Sequence, residues 1–453
     1  MKITILNGSP KGDPSVTMQY ANFIRKHSPD HDYVQFNVSR EIARFEKDEA
    51  YFKAVIASVV DSDAVVWAFP VYLVLIPSQM MRFIELVFER NAQGAFSGKY
   101  ATALSTSGKI FDDTAHRYIQ AISEDLDMNF LPGFSSAMFD LVKPDKQQHL
   151  LNFAAFFFKT VQSRALTQRS HMPVSWNAPL YVPGAVHEPV IMGKQRVVVL
   201  TDATDKDTNL QAMIEVFCRS IAGPVEVVNL YDLDIRGGCT GCGRCHLASQ
   251  CMYDDGFKCL YDEKLLPAHV IVFAAAIRGR FFSWKMKQFW DRSHYHSHKP
   301  VLAGRQTGYI ISGPLQQLPE LRDFIEFMGG GRSLPDFVTD ESGDSPRITA
   351  QLAQLGQNLL WCHENRCEKP PMFQTIAYRK IIRDLVYEKR FVFQEDHRFY
   401  KKTGFYDFPN RSFKVWVENT LFNLIFLIPG IKRAFFENAV AGMLRPFKKV
   451  LES

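Results

Sequence analysis

The feature that most constrains this chain is an alternation of short β-rich runs with amphipathic stretches, met twice along its length. In the first half Ile3–Leu6, Tyr33–Phe36, Ala64–Ala68 and Ala101–Leu104 read as strands with helical patterns between them. In the second half Val197–Leu200, Val225–Val228, Val270–Phe273 and Thr307–Ile311 repeat the pattern. Strands that alternate with helices cannot be joined by hairpins, so each half is expected to form a doubly wound α/β domain around a parallel sheet.

The two halves also match in spacing. Trp67, Phe83 and the pair Gly98-Lys99 correspond to Phe273, Phe289 and Gly304-Arg305 at one offset, 273 − 67 = 206. Leu6 corresponds to Leu200 at an offset of 194, so 206 − 194 = 12 extra residues lie between the first and third strands of the second copy. A constant offset through corresponding strand and helix patterns is evidence for an internal repeat. The cysteines of the chain crowd into the inserted stretch.

With 453 residues the chain is longer than one hydrophobic core usually supports. One domain is expected over 1–145, a helix and Pro-punctuated linker over 146–194, a second domain over 195–365 and a basic, aromatic extension over 366–453. In that extension the apolar run Leu421–Gly430 is too short to span a bilayer. Lys432, Arg433, Arg445, Lys448 and Lys449 flank apolar residues at roughly helical spacing, which suits either a membrane surface or, the preferred reading, a helix packed on protein. The net charge of +5 is spread without basic runs, which argues against a nucleic-acid partner. The N-terminal MKITILNGSP lacks the long apolar stretch of a secretory signal, and a cytoplasmic location is expected. Eight cysteines in such a chain point to metal or redox chemistry rather than a disulfide framework.

The segment Gly8–Thr17 lies between the first strand and the first helix. Gly8 allows a tight turn, Ser9, Ser15 and Thr17 offer hydroxyls, Lys11 adds charge, and a helix N-terminus presents backbone N–H groups to an anion. From these residues alone, an ordinary strand-to-helix turn with Ser15 as N-cap is an equal alternative. Read together with Phe69-Pro70-Val71-Tyr72 after the third strand and Ser105-Thr106-Ser107-Gly108 after the fourth, the loop resembles the FMN-binding loops of the NAD(P)H-dependent FMN reductase and iron–sulfur flavoprotein family. The resemblance covers about residues 1–145 and 195–345. It implies two tandem flavodoxin-like domains of strand order 2-1-3-4-5 with a helical C-terminal extension. It also implies that Ser9, Lys11, Ser15, Val16 and Thr17 hold the FMN phosphate, while Pro70, Val71, Tyr72, Ser105, Thr106, Ser107 and Gly108 flank the isoalloxazine. Ligands of open α/β sheets bind beyond the carboxyl ends of the strands, where these loops fall. Leu73 stands where the family often has Trp.

In the second copy Cys239, Cys242, Cys245 and Cys251 follow the spacing C-x2-C-x2-C-x5-C. Four thiols in thirteen residues suit a metal centre, and the run, with Asp254-Asp255 after it, resembles the compact 4Fe-4S motif of iron–sulfur flavoproteins. Zinc is the rival occupant. Cys259 reads as a structural cysteine. The loop Thr201–Leu210 carries Asp202, Asp205 and Asp207, which would repel a phosphate, so a second FMN is not expected. By the resemblance, the chain looks like a fused pseudo-dimer with FMN in one half and the cluster in the other.

The expected function is electron transfer between a reduced donor, NAD(P)H among the candidates, and a small-molecule or protein acceptor through FMN and a 4Fe-4S cluster. The alternatives are an FMN or quinone reductase without a cluster, and a non-catalytic, zinc-stabilised interaction protein. The chain is expected as a pseudo-dimeric monomer or a homodimer. No side chain is identified as a catalytic acid or base. His294, His296 and His298 form H-x-H-x-H, for which an exposed or substrate-facing loop is the favoured reading over metal binding. Cys362, His363 and Cys367 suit a metal by residue type, but their helical spacing favours partly buried residues.

Overall fold

In β1 (Lys2–Asn7) every residue after Lys2 is buried. A strand covered on both faces belongs inside a parallel sheet whose crossovers place helices on either side. A computed structural model describes residues 1–108, 110–177, 179–296, 298–302, 304–328, 336–407 and 412–452. In it β1 pairs in parallel with β2 (Asp32–Phe36) and β3 (Ala64–Pro70), and the sheet continues through β4 (Tyr100–Ser107) to β5 (Asn129–Ala137). The order is β2-β1-β3-β4-β5. β5 contains Pro132 and Gly133, residues that strand interiors tolerate poorly. Its edge position and a register irregularity opposite Thr102 and Leu104 accommodate them. A Cβ on Gly133 would stand 2.4 Å from the Ala103 carbonyl oxygen, so the close approach needs glycine.

A short parallel pairing of β6 (Val190–Ile191) with β8 (Ile221–Ala222) stands apart from the second sheet. That sheet contains β7 (Val197–Thr201), β9 (Val225–Asn229), β10 (Val270–Arg278), β12 (Gln306–Ser312) and β13 (Asp336–Thr339); the short β11 (Phe281–Phe282) folds back antiparallel on β10. Read from its other edge, the order β9-β7-β10-β12-β13 is again second, first, third, fourth, fifth. Each of the eight strands read from the sequence falls within one of these. Leu6 pairs with Trp67 and Leu200 with Phe273, while Trp67 pairs with Ala103 and Phe273 with Tyr309. The same strand order thus carries side chains related by the offsets seen in the sequence.

The chain divides into two compact bodies. The first comprises Met1–Pro173, Gly238–Gly241 and the segment from Ile428 onward; the second comprises Val174–Gly237 and Cys242–Leu427. In the first, Ile3, Ile5, Met18, Tyr20 and Leu104 form a core with Leu150, Phe157 and Val161 of the helix Pro144–Gln162. The C-terminal helix Ala439–Glu452 adds Phe447, whose ring stacks on Phe139 at 6.0 Å. Burying one such ring contributes roughly 1.5–3 kcal/mol, so the end of the extension belongs to the first core. In the second body Val197, Val199, Val270 and Val272 pack against Leu210 and Phe217 of the helix Thr208–Arg219 and Leu352, Leu355 and Leu359 of Ser345–Glu364. Among the described residues, no helix is long and apolar enough to cross a membrane.

Candidate cofactor site

β1 ends at Asn7, and the chain turns through Gly8–Ser15 into the helix Val16–His27. The turn is held by the Gly8 N–H donating to the Ala68 carbonyl at 2.7 Å, the Gly12 N–H to the Ser9 carbonyl at 2.9 Å and the Ser15 N–H to the Gly12 carbonyl at 3.1 Å. Gly12 has φ +70°, a conformation that side chains rarely adopt. Ser15 is the N-cap, its Oγ accepting from the Met18 N–H at 3.3 Å. The N–H groups of Val16 and Thr17 have no carbonyl a turn earlier in the helix and sit at the positive end of its dipole. Lys11 lies in this loop, and Arg40 donates to the Lys11 carbonyl at 3.0 Å, so a second cation that sequence reading missed is placed here. It follows the β2 strand in sequence, where no loop motif marks it.

The other two loops meet the first at the same sheet edge. Thr17 and Thr106 share a hydrogen bond between their hydroxyls at 2.6 Å, which ties the first helix to the end of β4. The Val71 N–H donates to the Thr106 carbonyl at 3.1 Å. Tyr72 and Leu75 exchange backbone hydrogen bonds of 2.7 and 3.1 Å, enclosing Leu73 and Val74 at φ 40° and 78°. Two-residue turns of this hand normally use Asn or Gly, and a β-branched residue there is strained by about 1–3 kcal/mol. Such strain persists where surrounding structure fixes it, commonly at binding sites. Behind this edge Ser105 Oγ and His116 Nε2 are 2.7 Å apart. Burial lowers the His116 pKa against the opposing pull of Asp112 and Asp113, so the ring is neutral at pH 7. Nothing in the helical run around His116 had marked it in the sequence. Ser9, Ser15, Thr17, Ser105 and Thr106 are buried; Lys11, Val16, Pro70, Val71, Tyr72 and Ser107 are half-buried and Gly108 is exposed.

The segment Gly238–Gly241 packs in the same body as these loops. Gln79 Nε2 donates to the Cys239 carbonyl at 3.3 Å. A Cβ on Gly241, which has φ +65°, would come within 2.3 Å of Tyr72 Oη and 3.7 Å of Lys11 Cε. The first residue of the cysteine run is therefore held beside the loop expected to flank a flavin ring.

Cys242, Cys245 and Cys251 lie in the second body, and like Cys239 they are half-buried thiols outside any disulfide. Thiolates sharing one zinc ion stand roughly 3.8 Å apart at the usual Zn–S distance. Among the described residues Cys242, Cys245 and Cys251 form no such tight group. Arg292 fixes the backbone at both ends of the run, donating to the Gly237 carbonyl at 2.9 Å and to Asp255 at 2.9 and 2.8 Å. Asp255 in turn caps the helix Gly256–Cys259.

The second body's counterpart of the first loop is filled by its own carboxylates. Asp202 is fully buried and accepts from Ser283 Oγ; desolvation pushes its pKa up to about 6. Asp207 pairs with Arg278 and accepts from the Thr204 N–H at 2.9 Å. The acidic residues read in the sequence thus fill the turn themselves, although Asp202 Oδ1 is buried without a hydrogen-bond partner and Asp205 is exposed. Of the H-x-H-x-H residues, His298 meets His246 and Asp396, while His296 lies 3.9 Å from Asp262. Cys362 is buried in the helix Ser345–Glu364, as its spacing suggested.

Residues 1–155 match the model of a family described as having a flavodoxin-like fold. An iron–sulfur flavoprotein of Archaeoglobus fulgidus is 23% identical over 183 residues, which are 37% of this chain and 79% of that protein. The apo structure of an NADH:FMN oxidoreductase, EmoB, is 20% identical, covers 35% of this chain and 89% of its own, and gives a TM-score of 0.30. FerB of Paracoccus denitrificans, an NAD(P)H:(acceptor) oxidoreductase, is 14% identical, covers 36% and 97% of the two chains and gives 0.30.

Proposed function

We propose that the flavodoxin-like first body binds FMN and that the chain is an NAD(P)H-dependent flavin oxidoreductase whose cysteine run holds a 4Fe-4S cluster. The observation that carries this reading is the placement of the segment Gly238–Gly241, with the Cys239 carbonyl on Gln79 and Gly241 against Tyr72, in the same body as the three loops at the carboxyl ends of β1, β3 and β4. The matched family model and the iron–sulfur flavoprotein relative support it.

The loop residues fit a phosphate by their donors. The N–H groups of Val16 and Thr17 open the helix, and Lys11 with Arg40 supplies positive charge. The Thr17–Thr106 bond uses one of those two hydroxyl protons to hold the loops together and leaves the other, with the backbone donors, for an anion. Pro70, Val71 and Tyr72, with Ser105 through Gly108, would bracket the ring. The neutral His116 fixes the orientation of Ser105. When bound, FMN supplies hydride acceptance as two electrons and their release singly, which matches a one-electron cluster. The four thiols at C-x2-C-x2-C-x5-C spacing would ligate that cluster.

Anaerobic purification followed by flavin, iron, sulfide and zinc analysis tests this. The expected result is about one FMN with about four iron and four sulfide per chain, with bleaching of the flavin on adding NADH or NADPH. Flavin without iron would remove the cluster from the proposal. A colourless protein binding no added FMN would remove the function.

A further inference from the structure

Three side chains far apart in sequence meet inside the second body. His246 stands on the short helix Arg244–Ala248, His298 follows the turn Ser293–Tyr295, and Asp396 lies in the first turn of the helix Gln394–Thr403. Nδ1 of His246 is 3.0 Å and Nδ1 of His298 is 3.1 Å from the same atom, Asp396 Oδ2. One ligand atom from each residue lies within 4.8 Å of the other two.

The surroundings hold these atoms in place. The two imidazoles stack with centroids 4.4 Å apart and planes at 10°, and Phe393 presents itself edge-on to them at 5.0 and 5.2 Å. Tyr400 donates to the His298 carbonyl at 2.5 Å. The other carboxylate oxygen, Asp396 Oδ1, faces Lys299 Nζ at 4.0 Å, and Lys299 also donates to Ser249 Oγ at 3.0 Å. Asp396 and His298 are buried and His246 is half-buried. A carboxylate so enclosed needs a cation or strong donors at the converging oxygen.

A tetrahedral ion bound to nitrogen and oxygen at about 2.0–2.1 Å sets neighbouring ligand atoms roughly 3.3 Å apart. The separations of 3.0 and 3.1 Å approach that edge. Two imidazoles and one carboxylate are a borderline donor set, suited to first-row divalent ions rather than to calcium or magnesium.

We propose that His246, His298 and Asp396 bind one divalent transition-metal ion of the zinc class, separate from any centre on the cysteine run. The ion acts as a structural clip. It joins segments separated by 298 − 246 = 52 and 396 − 298 = 98 residues, and so fastens the helix Gln394–Thr403 to the stretch that carries Cys245. Ligands brought together from such separations exist as a site only in the folded chain, so the binding energy becomes folding energy. This gives the middle of the C-terminal extension a role that its composition did not disclose.

The test is titration of the chelator-treated, full-length protein with Co2+ and then Zn2+, followed by absorption spectroscopy, metal analysis and thermal melting. A nitrogen–oxygen site gives visible d–d bands for one equivalent of Co2+ without a thiolate-to-cobalt charge-transfer band, and one equivalent of Zn2+ raises the melting temperature. The double variant Cys242→Ser/Cys251→Ser retains that signal. Asp396→Asn and His298→Gln, chosen to keep shape and hydrogen bonding, weaken binding by more than about a hundredfold, since even outer partners of metal ligands cost ten to a hundredfold. Wild-type protein that takes up no Co2+ outside a thiolate environment, or folded variants that bind as tightly as wild type, would overturn the proposal. Because the wild-type titration is itself decisive, a variant that fails to fold leaves the test intact. Loss of flavin or iron–sulfur content would not affect its outcome.

Discussion

The guanidinium of Arg292 grips the carboxylate of Asp255 through two parallel hydrogen bonds, Nη1 to Oδ2 at 2.9 Å and Nη2 to Oδ1 at 2.8 Å, with both side chains essentially removed from solvent. The same Nη1 reaches the Gly237 carbonyl, so one side chain fastens the backbone before and after the cysteine run.

Removing one partner of a buried ion pair strands the other charge, and Arg292→Met is expected to cost about 3–5 kcal/mol by urea denaturation. Arg292→Lys keeps the charge but loses the fork, and iron incorporation is expected to fall in both variants. Burial works to raise the Asp255 carboxyl, but Arg292 and the backbone donors outweigh it and hold its pKa below the ordinary value. A depressed folded-state carboxyl stabilises above its unfolded pKa, near 3.9, and that contribution disappears as pH falls through the folded value. An Arg292→Met variant whose stability and acid transition match wild type would contradict this account.

Asp202 shows the opposite sign. Its folded pKa of about 6 lies above the unfolded value, so the native state binds the proton more tightly and loses stability as pH rises through that interval. Asp202→Asn, which can still accept from Ser283, is expected to raise stability at pH 7.5 by up to about 3 kcal/mol. The gain should shrink as pH falls from 6 toward 4. Denaturation at pH 7.5 and pH 4.5 checks it, and an equal effect at both values would rule out the titration as its cause.

Gly241 and Gly243 form an internally controlled pair. Both have positive φ, 65° and 75°, but a Cβ at Gly241 strikes Tyr72 Oη at 2.3 Å whereas one at Gly243 meets nothing within 4 Å. Each alanine substitution is expected to cost about 1 kcal/mol of backbone strain. Only Gly241→Ala should also displace Tyr72 and lower FMN affinity, by roughly tenfold if the misfit costs about 1.4 kcal/mol. Equal FMN dissociation constants for the two variants would separate Tyr72 from the flavin site.

Ser105 is buried and pairs with the half-buried His116, so His116→Ala leaves a buried hydroxyl unsatisfied and is expected to destabilise by about 1–3 kcal/mol. Because burial lowers the folded pKa of His116, the unfolded chain takes the proton first as pH drops below about 6.5, and stability falls with it. His116→Gln should flatten the melting-temperature profile between pH 6.5 and 5. An unchanged profile would show that the ring carries no such linkage.

The sequence by itself determined the alternation of buried strands and amphipathic helices, because a parallel sheet covered on both faces requires runs of residues that can all be buried at β1, β3, β4 and their counterparts β7, β10 and β12. It also marked the glycine-bearing turn at Gly8–Ser15 and the cysteine run, whose chemistry is written in local spacing. The edge strand β5 was harder to read, since Pro132 and Gly133 suit a strand only where a neighbour's register yields to them. Tertiary structure alone decided that Arg40 joins the first loop, that Arg292 spans the cysteine run and that His116 lies behind Ser105. It also decided that His298 joins His246 and Asp396, residues distant in sequence. Such pairings depend on which helix faces which sheet edge, a long-range choice set by the summed burial of many apolar residues. No short pattern around any one of those side chains encodes it.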